Sequence, residues 1–172
     1  MTVRRLIGVL ALLVAVLAAL DVHDPEPVPD LLPDPAEPGR VLIVLDVLDG
    51  DTFIATDLAG EPVGRVRLVG VDAPELAEGQ CWSQDAATAL AQLAKAGTRV
   101  ELTIDPGQGE RDRYGRLLGY VRTIDAARLD VGLQLLEHGH ARPWGQHPRR
   151  ELYEAVGGAA AHQDLGLWGV CR

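Results

Sequence analysis

Five side chains of this 172-residue chain have the types and spacing to work on a phosphodiester: Asp51, Arg67, Asp72, Glu75 and Arg116. A phosphodiester is a monoanion, and its hydrolysis gathers further charge on the phosphoryl oxygens. Fixed cations aimed at those oxygens stabilise the transition state more than the bound substrate, a task that suits Arg67 and Arg116. A hard divalent cation held by carboxylate and carbonyl oxygens can assist and can orient water. Asp51 and Asp72 could supply such carboxylates. A further carboxylate beside the attacking water can act as general base, and Glu75 is the candidate.

Each residue sits in a short cluster that has a plainer reading in isolation. Asp49-Gly50-Asp51-Thr52 reads as a tight hairpin turn. Arg67-Leu68-Val69-Gly70-Val71-Asp72-Ala73-Pro74-Glu75 reads as a strand entering a Pro turn, which accounts for everything but Arg67. By strand alternation Arg67 shares an apolar face with Val69 and Val71, and an Arg there needs an anionic partner. Asp112-Arg113-Tyr114-Gly115-Arg116 reads as a charged turn entering another strand.

The elements that must position these groups follow from periodicity and turn residues. Strands are expected over Val41 to Leu48, Asp51 to Thr56, Val63 to Val71, Thr98 to Ile104 and Leu117 to Thr123. Ser83 is placed to cap a helix with an apolar stripe of Ala86, Ala87, Leu90, Leu93 and Ala94, stopped by Gly97. A second helix carries Leu129, Gly132, Leu133 and Leu136 and closes at Gly139. A third starts near Arg149 with Leu152, Ala155, Val156 and Ala159 on its inner side. The order βββ-α-ββ-α-α predicts an α+β fold: a five-stranded OB-type barrel with three packed helices. Fold alone assigns no activity.

With 47% hydrophobic residues the chain can bury a core. Arg4 and Arg5 precede an apolar run from Leu6 to Leu20, so residues 1–20 read as a signal peptide or a membrane anchor. That run is about 22 Å long as a helix, short of a ~30 Å hydrocarbon core. Residues 21–39 are rich in Pro and acid and read as a flexible linker, which leaves 40–172 as the domain. The expected location is therefore outside the cytoplasm, secreted or tethered through residues 6–20. In that compartment Cys81 and Cys171 are expected to form a disulfide, two buried thiols being the alternative. Of 16 basic and 25 acidic residues, two and six lie in 1–39, so the domain carries −5 of the total −9. Bulk electrostatics cannot hold a polyanion on such a surface; a local Arg cluster or a bound cation must do it. Arg142, Arg149 and Arg150 read as a solvated helix face, with a cationic patch as the alternative.

Taken in order, the three clusters resemble the motifs of the staphylococcal nuclease family, and Gly166-Leu167-Trp168 resembles its closing segment. The likeness covers roughly residues 40–170. It implies a Ca2+-dependent endonuclease acting on DNA and RNA and leaving 3′-phosphate ends. Asp51, Asp72 and the backbone carbonyl of Ala73 would hold one Ca2+. Glu75 would be the base, Arg67 and Arg116 would grip the phosphate, and Arg113, Tyr114 and Trp144 would contact the nucleic acid. Ala73 departs from the family's usual Thr, which keeps the carbonyl and loses a hydroxyl. Arg113 stands for a Lys, keeping the charge with a different geometry. A monomer is the default expectation. The rival reading is a non-catalytic nucleic-acid-binding module on the same barrel, and retention of all five acid and Arg positions argues against it.

Overall fold

The computed structural model describes residues 39–171. The expected signal or anchor segment and the acidic linker up to residue 38 lie outside the described residues. The chain runs β1 (Arg40–Val47), β2 (Thr52–Thr56), β3 (Pro62–Leu68), β4 (Val71–Asp72), α1 (Ser83–Leu93), β5 (Arg99–Thr103), β6 (Leu117–Thr123), α2 (Val131–Glu137), β7 (Arg142–Pro143), α3 (Arg150–His162) and α4 (Leu167–Val170). Five strands close a barrel in the order β1-β2-β3-β6-β5, and β4 pairs with β7 in a separate two-stranded ribbon. The barrel and its packed helices agree with the expected architecture. The small ribbon and α4 are additions to it.

Alternation builds the barrel interior. Leu42 and Val44 of β1, Phe53 and Ala55 of β2, Val66 and Leu68 of β3, Val100 and Leu102 of β5, and Leu117 and Val121 of β6 are all buried. The one parallel contact, β3 with β6, sets Arg67 beside Leu118. On its other side β6 runs close to β5 at Gly119, where a Cβ would fall 2.6 Å from Leu102 Cδ1 and 2.7 Å from the Thr103 carbonyl.

Four local expectations are corrected. The third strand ends at Leu68, not Val71, because Gly70 takes φ +85°. The break turns the chain before β4, so Arg67 does not continue a face with Val69 and Val71. Asp49-Gly50 is not a two-residue hairpin: β1 and β2 are joined through residues 48–51, and Gly50 lacks positive φ. Gly50 is needed for space, since a Cβ there would lie 2.6 Å from the Cβ atoms of both Ala73 and Ala86. Ser83 is the first residue of α1 and makes no cap; Trp82 precedes it in a left-handed conformation, and the helix ends at Leu93, short of Gly97. In α3 the buried residues are Tyr153, Gly157 and Ala160, while Ala155 and Ala159 are exposed. Gly157 admits Pro143 of β7, whose ring a Cβ would strike at 2.5 Å.

A buried polar cluster docks α2 and α3 on the barrel. Asp130 caps α2 by accepting from the Leu133 N–H (3.0 Å), and it also accepts from Tyr153 Oη (3.0 Å) and Arg149 Nη1 (2.6 Å). Arg149 is only 5% exposed and lies over the Tyr120 ring at 3.9 Å, which overturns its expected place on a solvated face. Arg150 does face solvent, paired with Glu154 at 2.7 Å.

Cys81 and Cys171 are bridged, tying the chain just before α1 to the segment after α4 across 90 residues. Chain-entropy reasoning assigns a loop of that length up to about 4.5 kcal/mol. Reduction is expected to lower the denaturant midpoint and to steepen the transition, because the released unfolded chain is less compact. Coincident unfolding curves with and without reductant would contradict a stabilising bridge.

Candidate active site

Arg67 is the hub of the candidate site. It leaves β3 directly opposite Thr52 of β2, and its side chain is 12% exposed. Because the strand has ended, its guanidinium folds over the turn and Nη1 donates to the carbonyls of Leu68 and Val71, both at 2.7 Å. Nη2 reaches Asp51 Oδ2 at 3.0 Å and Asp72 Oδ1 at 3.3 Å. The anionic partner that the sequence required is thus a pair of carboxylates, from the β1–β2 loop and from β4.

Asp51 is buried, and the fold supplies it with donors. Oδ1 accepts from Thr52 Oγ1 at 2.9 Å, and Oδ2 accepts from the Ala73 N–H at 2.9 Å. Burial is the largest influence on its carboxyl and raises its pKa to about 7, with Arg67 and these hydrogen bonds opposing and nearby Asp49 adding to the rise. One guanidinium therefore does not fully sustain the negative charge that this pocket would hold. Asp72 is half exposed. Ala73 is buried, and its carbonyl accepts no hydrogen bond among the described residues.

Two carboxylates that meet at one nitrogen, a buried acid short of positive charge and an adjacent unengaged carbonyl form an all-oxygen donor set. That chemistry fits a hard divalent cation. Among the described residues no three His, Cys, Asp or Glu side chains gather as a ready metal cage. The fit therefore rests on two carboxylates, a carbonyl and solvent.

Glu75 lies in the exposed loop between β4 and α1, and its carboxylate has no partner among the described residues. Burial, then the charge of Asp49, raises its pKa, with Arg67 opposing. Gln80 holds the backbone of Glu75 from both ends. Its Oε1 accepts the Glu75 N–H at 2.9 Å, and its own N–H donates to the Glu75 carbonyl at 3.3 Å. Nothing in the sequence pointed to Gln80, because the clamp depends on how an irregular loop closes.

Arg116 is oriented by Asp112, an Asp four residues earlier. Asp112 Oδ2 accepts from Arg116 Nε at 2.8 Å, while Oδ1 accepts the N–H groups of Tyr114 and Arg116. Burial favours the neutral acid, but these hydrogen bonds outweigh it and hold the Asp112 carboxyl below the usual range. The spacing was visible in the third motif, although its orienting role was not. Tyr114 is exposed, with Arg113 over its ring at 4.7 Å and Arg116 at 5.5 Å.

Arg67 and Arg116 share the wall of one cavity of about 190 Å³ with Gly70, Gln108, Trp144 and His147. Asp51, Asp72 and Glu75 are not among its walls. Trp144 is 66% exposed where it lines this cavity, and its backbone N–H donates to the Gly70 carbonyl at 2.9 Å. The fold thus gathers Asp51, Arg67, Asp72 and Ala73 in direct contact, sets Glu75 two residues beyond Ala73, and joins Arg67 to Arg116 and Trp144 through the cavity.

The family model for staphylococcal nuclease homologues matches residues 65–170. Over 136 residues the chain is 33% identical to a thermonuclease of Staphylococcus intermedius, covering 76% of this chain and 77% of that protein. Over 126 residues it is 34% identical to an uncharacterized endonuclease of Escherichia coli O157:H7, covering 73% and 74%. A probable endonuclease, LCL3, of Coccidioides posadasii (strain C735) is 43% identical over 119 residues, covering 60% of this chain and 36% of that protein.

Proposed function

The chain belongs to the staphylococcal nuclease family, and from that premise we propose an exported, Ca2+-dependent endonuclease that cleaves DNA and RNA with low sequence specificity and leaves 3′-phosphate ends. The observation that carries this reading is the Arg67 hub, which joins two carboxylates to a cavity shared with Arg116. Export rests on residues 1–20 and on the disulfide, which persists in oxidising compartments.

In this reading Asp51, Asp72 and the Ala73 carbonyl would hold the cation, which supplies charge neutralisation at the phosphoryl oxygens when bound. Glu75, free of partners, accepts a proton from water as the water oxygen bonds to phosphorus. The bond from phosphorus to the 5′ oxygen breaks, leaving phosphate on the 3′ side. Arg116, aligned by Asp112, donates to the phosphoryl group and to the departing oxygen, and Arg67, which lines the same cavity, donates to the phosphoryl group. Relieved of either carboxylate, the Nη2 edge of Arg67 can turn to a phosphate oxygen. Arg113, Tyr114 and Trp144 contact the neighbouring nucleotides.

The ligand assignment is tested through stability. Ca2+ is expected to raise the Tm of the wild-type protein, and Asp51→Asn is expected to abolish that rise. The sign of the pH dependence follows from the raised folded-state pKa of Asp51. The folded form binds the proton more tightly than the unfolded chain, whose Asp titrates near ~3.9. Its stabilising contribution is full below that value and is lost as pH rises through about 7. In chelator, wild type should therefore lose Tm relative to Asp51→Asn between pH 5 and pH 8, by about 4 °C or more. The Ca2+ response of wild type should grow over the same window, because the cation takes the ionised carboxylate. A Ca2+ response that survives in Asp51→Asn contradicts the assignment.

A further inference from the structure

Arg142 and Asp72 are direct partners across the β4–β7 ribbon. Opposed residues in an antiparallel pair project from the same face with Cβ atoms about 5 Å apart, so an ion pair would be the expected outcome. None forms. The Asp72 carboxylate goes to Arg67, and the Arg142 guanidinium lies over the Trp168 ring at 4.9 Å. Arg142 is exposed and has no carboxylate partner among the described residues. The nearby cations are engaged: Arg67 by Asp51 and Asp72, Arg116 by Asp112, Arg149 by Asp130, Arg150 by Glu154.

Stacking on an aromatic face fixes a guanidinium while leaving its N–H edges open to a planar set of acceptors. The Trp168 ring is itself held, since α4 is followed at once by the bridged Cys171. Two residues further on, just past the end of β7, Trp144 stays beside the ribbon through its backbone N–H, which donates to the Gly70 carbonyl at 2.9 Å, and its side chain is exposed. It lines the cavity together with Arg67 and Arg116. A cation followed by an aromatic along one exposed edge is the pattern that tracks a single strand, with phosphate on the cation and base on the ring.

We propose that Arg142 is a phosphate subsite for polynucleotide, gripping a phosphodiester next to the one that is cleaved, so that the enzyme prefers polymers to single-nucleotide esters. The proposal rests on the placement of the catalytic centre at Arg67, Asp72 and Glu75. In a chain of negative charge this subsite supplies grip on a polyanion without adding a cation to the centre itself.

The test compares kcat/KM on a single-stranded DNA oligonucleotide with kcat/KM on a nitrophenyl phosphodiester of one nucleotide, for wild type, Arg142→Gln and Arg142→Lys. Arg142→Gln should lower the polymer-to-monomer ratio about tenfold through KM, and should flatten the log–log salt dependence of oligonucleotide binding by about 0.7. Arg142→Lys should restore most of the salt slope. An unchanged ratio and slope in Arg142→Gln would overturn the subsite. So would a fall in Tm with both quantities intact, which would make Arg142 only a staple for Trp168. Oligonucleotide binding by anisotropy reads the slope without turnover. A fully active Glu75→Gln would sink the catalytic assignment while leaving this comparison readable.

Discussion

Glu75→Gln is expected to lower kcat by two to four orders of magnitude on any nucleic-acid substrate, the range associated with loss of a positioned general base. Folding should be indifferent to the change. Glu75 is exposed, and its carboxylate has no partner among the described residues. Its clamp to Gln80 uses backbone atoms that Gln retains. KM should move little, because the carboxylate acts on water and not on bound phosphate. Burial and the charge of Asp49 raise the Glu75 pKa. The acid limb of the wild-type rate profile should therefore lie above the usual carboxylate range, activity falling as Glu75 takes up its proton. Rates by stopped assay, with Tm as a control for folding, check both parts. A Glu75→Gln protein with near-normal kcat would remove Glu75 from the chemistry.

The second large effect separates two arginines that the sequence presents as equivalents. Arg116→Ala should cost about 10²–10³ in kcat, the scale for removing one donor to a developing oxyanion, with stability nearly unchanged. Its partner Asp112 is partly exposed and retains two backbone donors. Arg67→Ala should lose at least as much activity and should also destabilise the fold by about 3–5 kcal/mol, as when one member of a buried ion pair is removed. Arg67 closes the turn after β3 through two carbonyls and is the cation that partly offsets the burial of Asp51, which is 2% exposed. Part of that loss should be recovered at low pH, where Asp51 is protonated. Equal stability of the two variants in denaturant titrations would contradict the view of Arg67 as a structural hub.

The barrel was legible because its strands obey a local rule. Leu42 with Val44, Val100 with Leu102 and Leu117 with Val121 alternate inward as the pattern predicts, and the bounds of β6 agree with those expected. The candidate set could be picked out because phosphate chemistry asks for few residue types, and the motifs carry them in order; the structure brings Asp51, Arg67 and Asp72 into contact. What stayed hidden depends on contacts distant in sequence. β3 ends where Gly70 takes φ +85°, and that position has no room for a side chain, which would meet His147 and Tyr153 at under 3 Å. Its apolar neighbours Val69 and Val71 give no sign of this. The inner face of α3 is centred by Pro143 at Gly157 and by Asp130 at Tyr153, so the apolar pattern placed Leu152 and Val156 correctly against the core and Ala155 and Ala159 wrongly. Arg149 looked solvated because its partner Asp130 lies 19 residues away. Gln80 owes its position to a loop closure without a sequence signature, and Arg142, expected on a helix face, lies instead in a two-residue ribbon.

Digestion of single-stranded DNA by the purified protein, in Ca2+ and in chelator, beside Glu75→Gln, tests the central claim most directly. The account predicts cleavage in Ca2+ with 3′-phosphate ends, none in chelator, and a loss of two orders of magnitude or more in the variant. A folded, disulfide-intact protein that binds the DNA and leaves it uncut with every divalent ion tried would contradict the account and make this barrel a binding module.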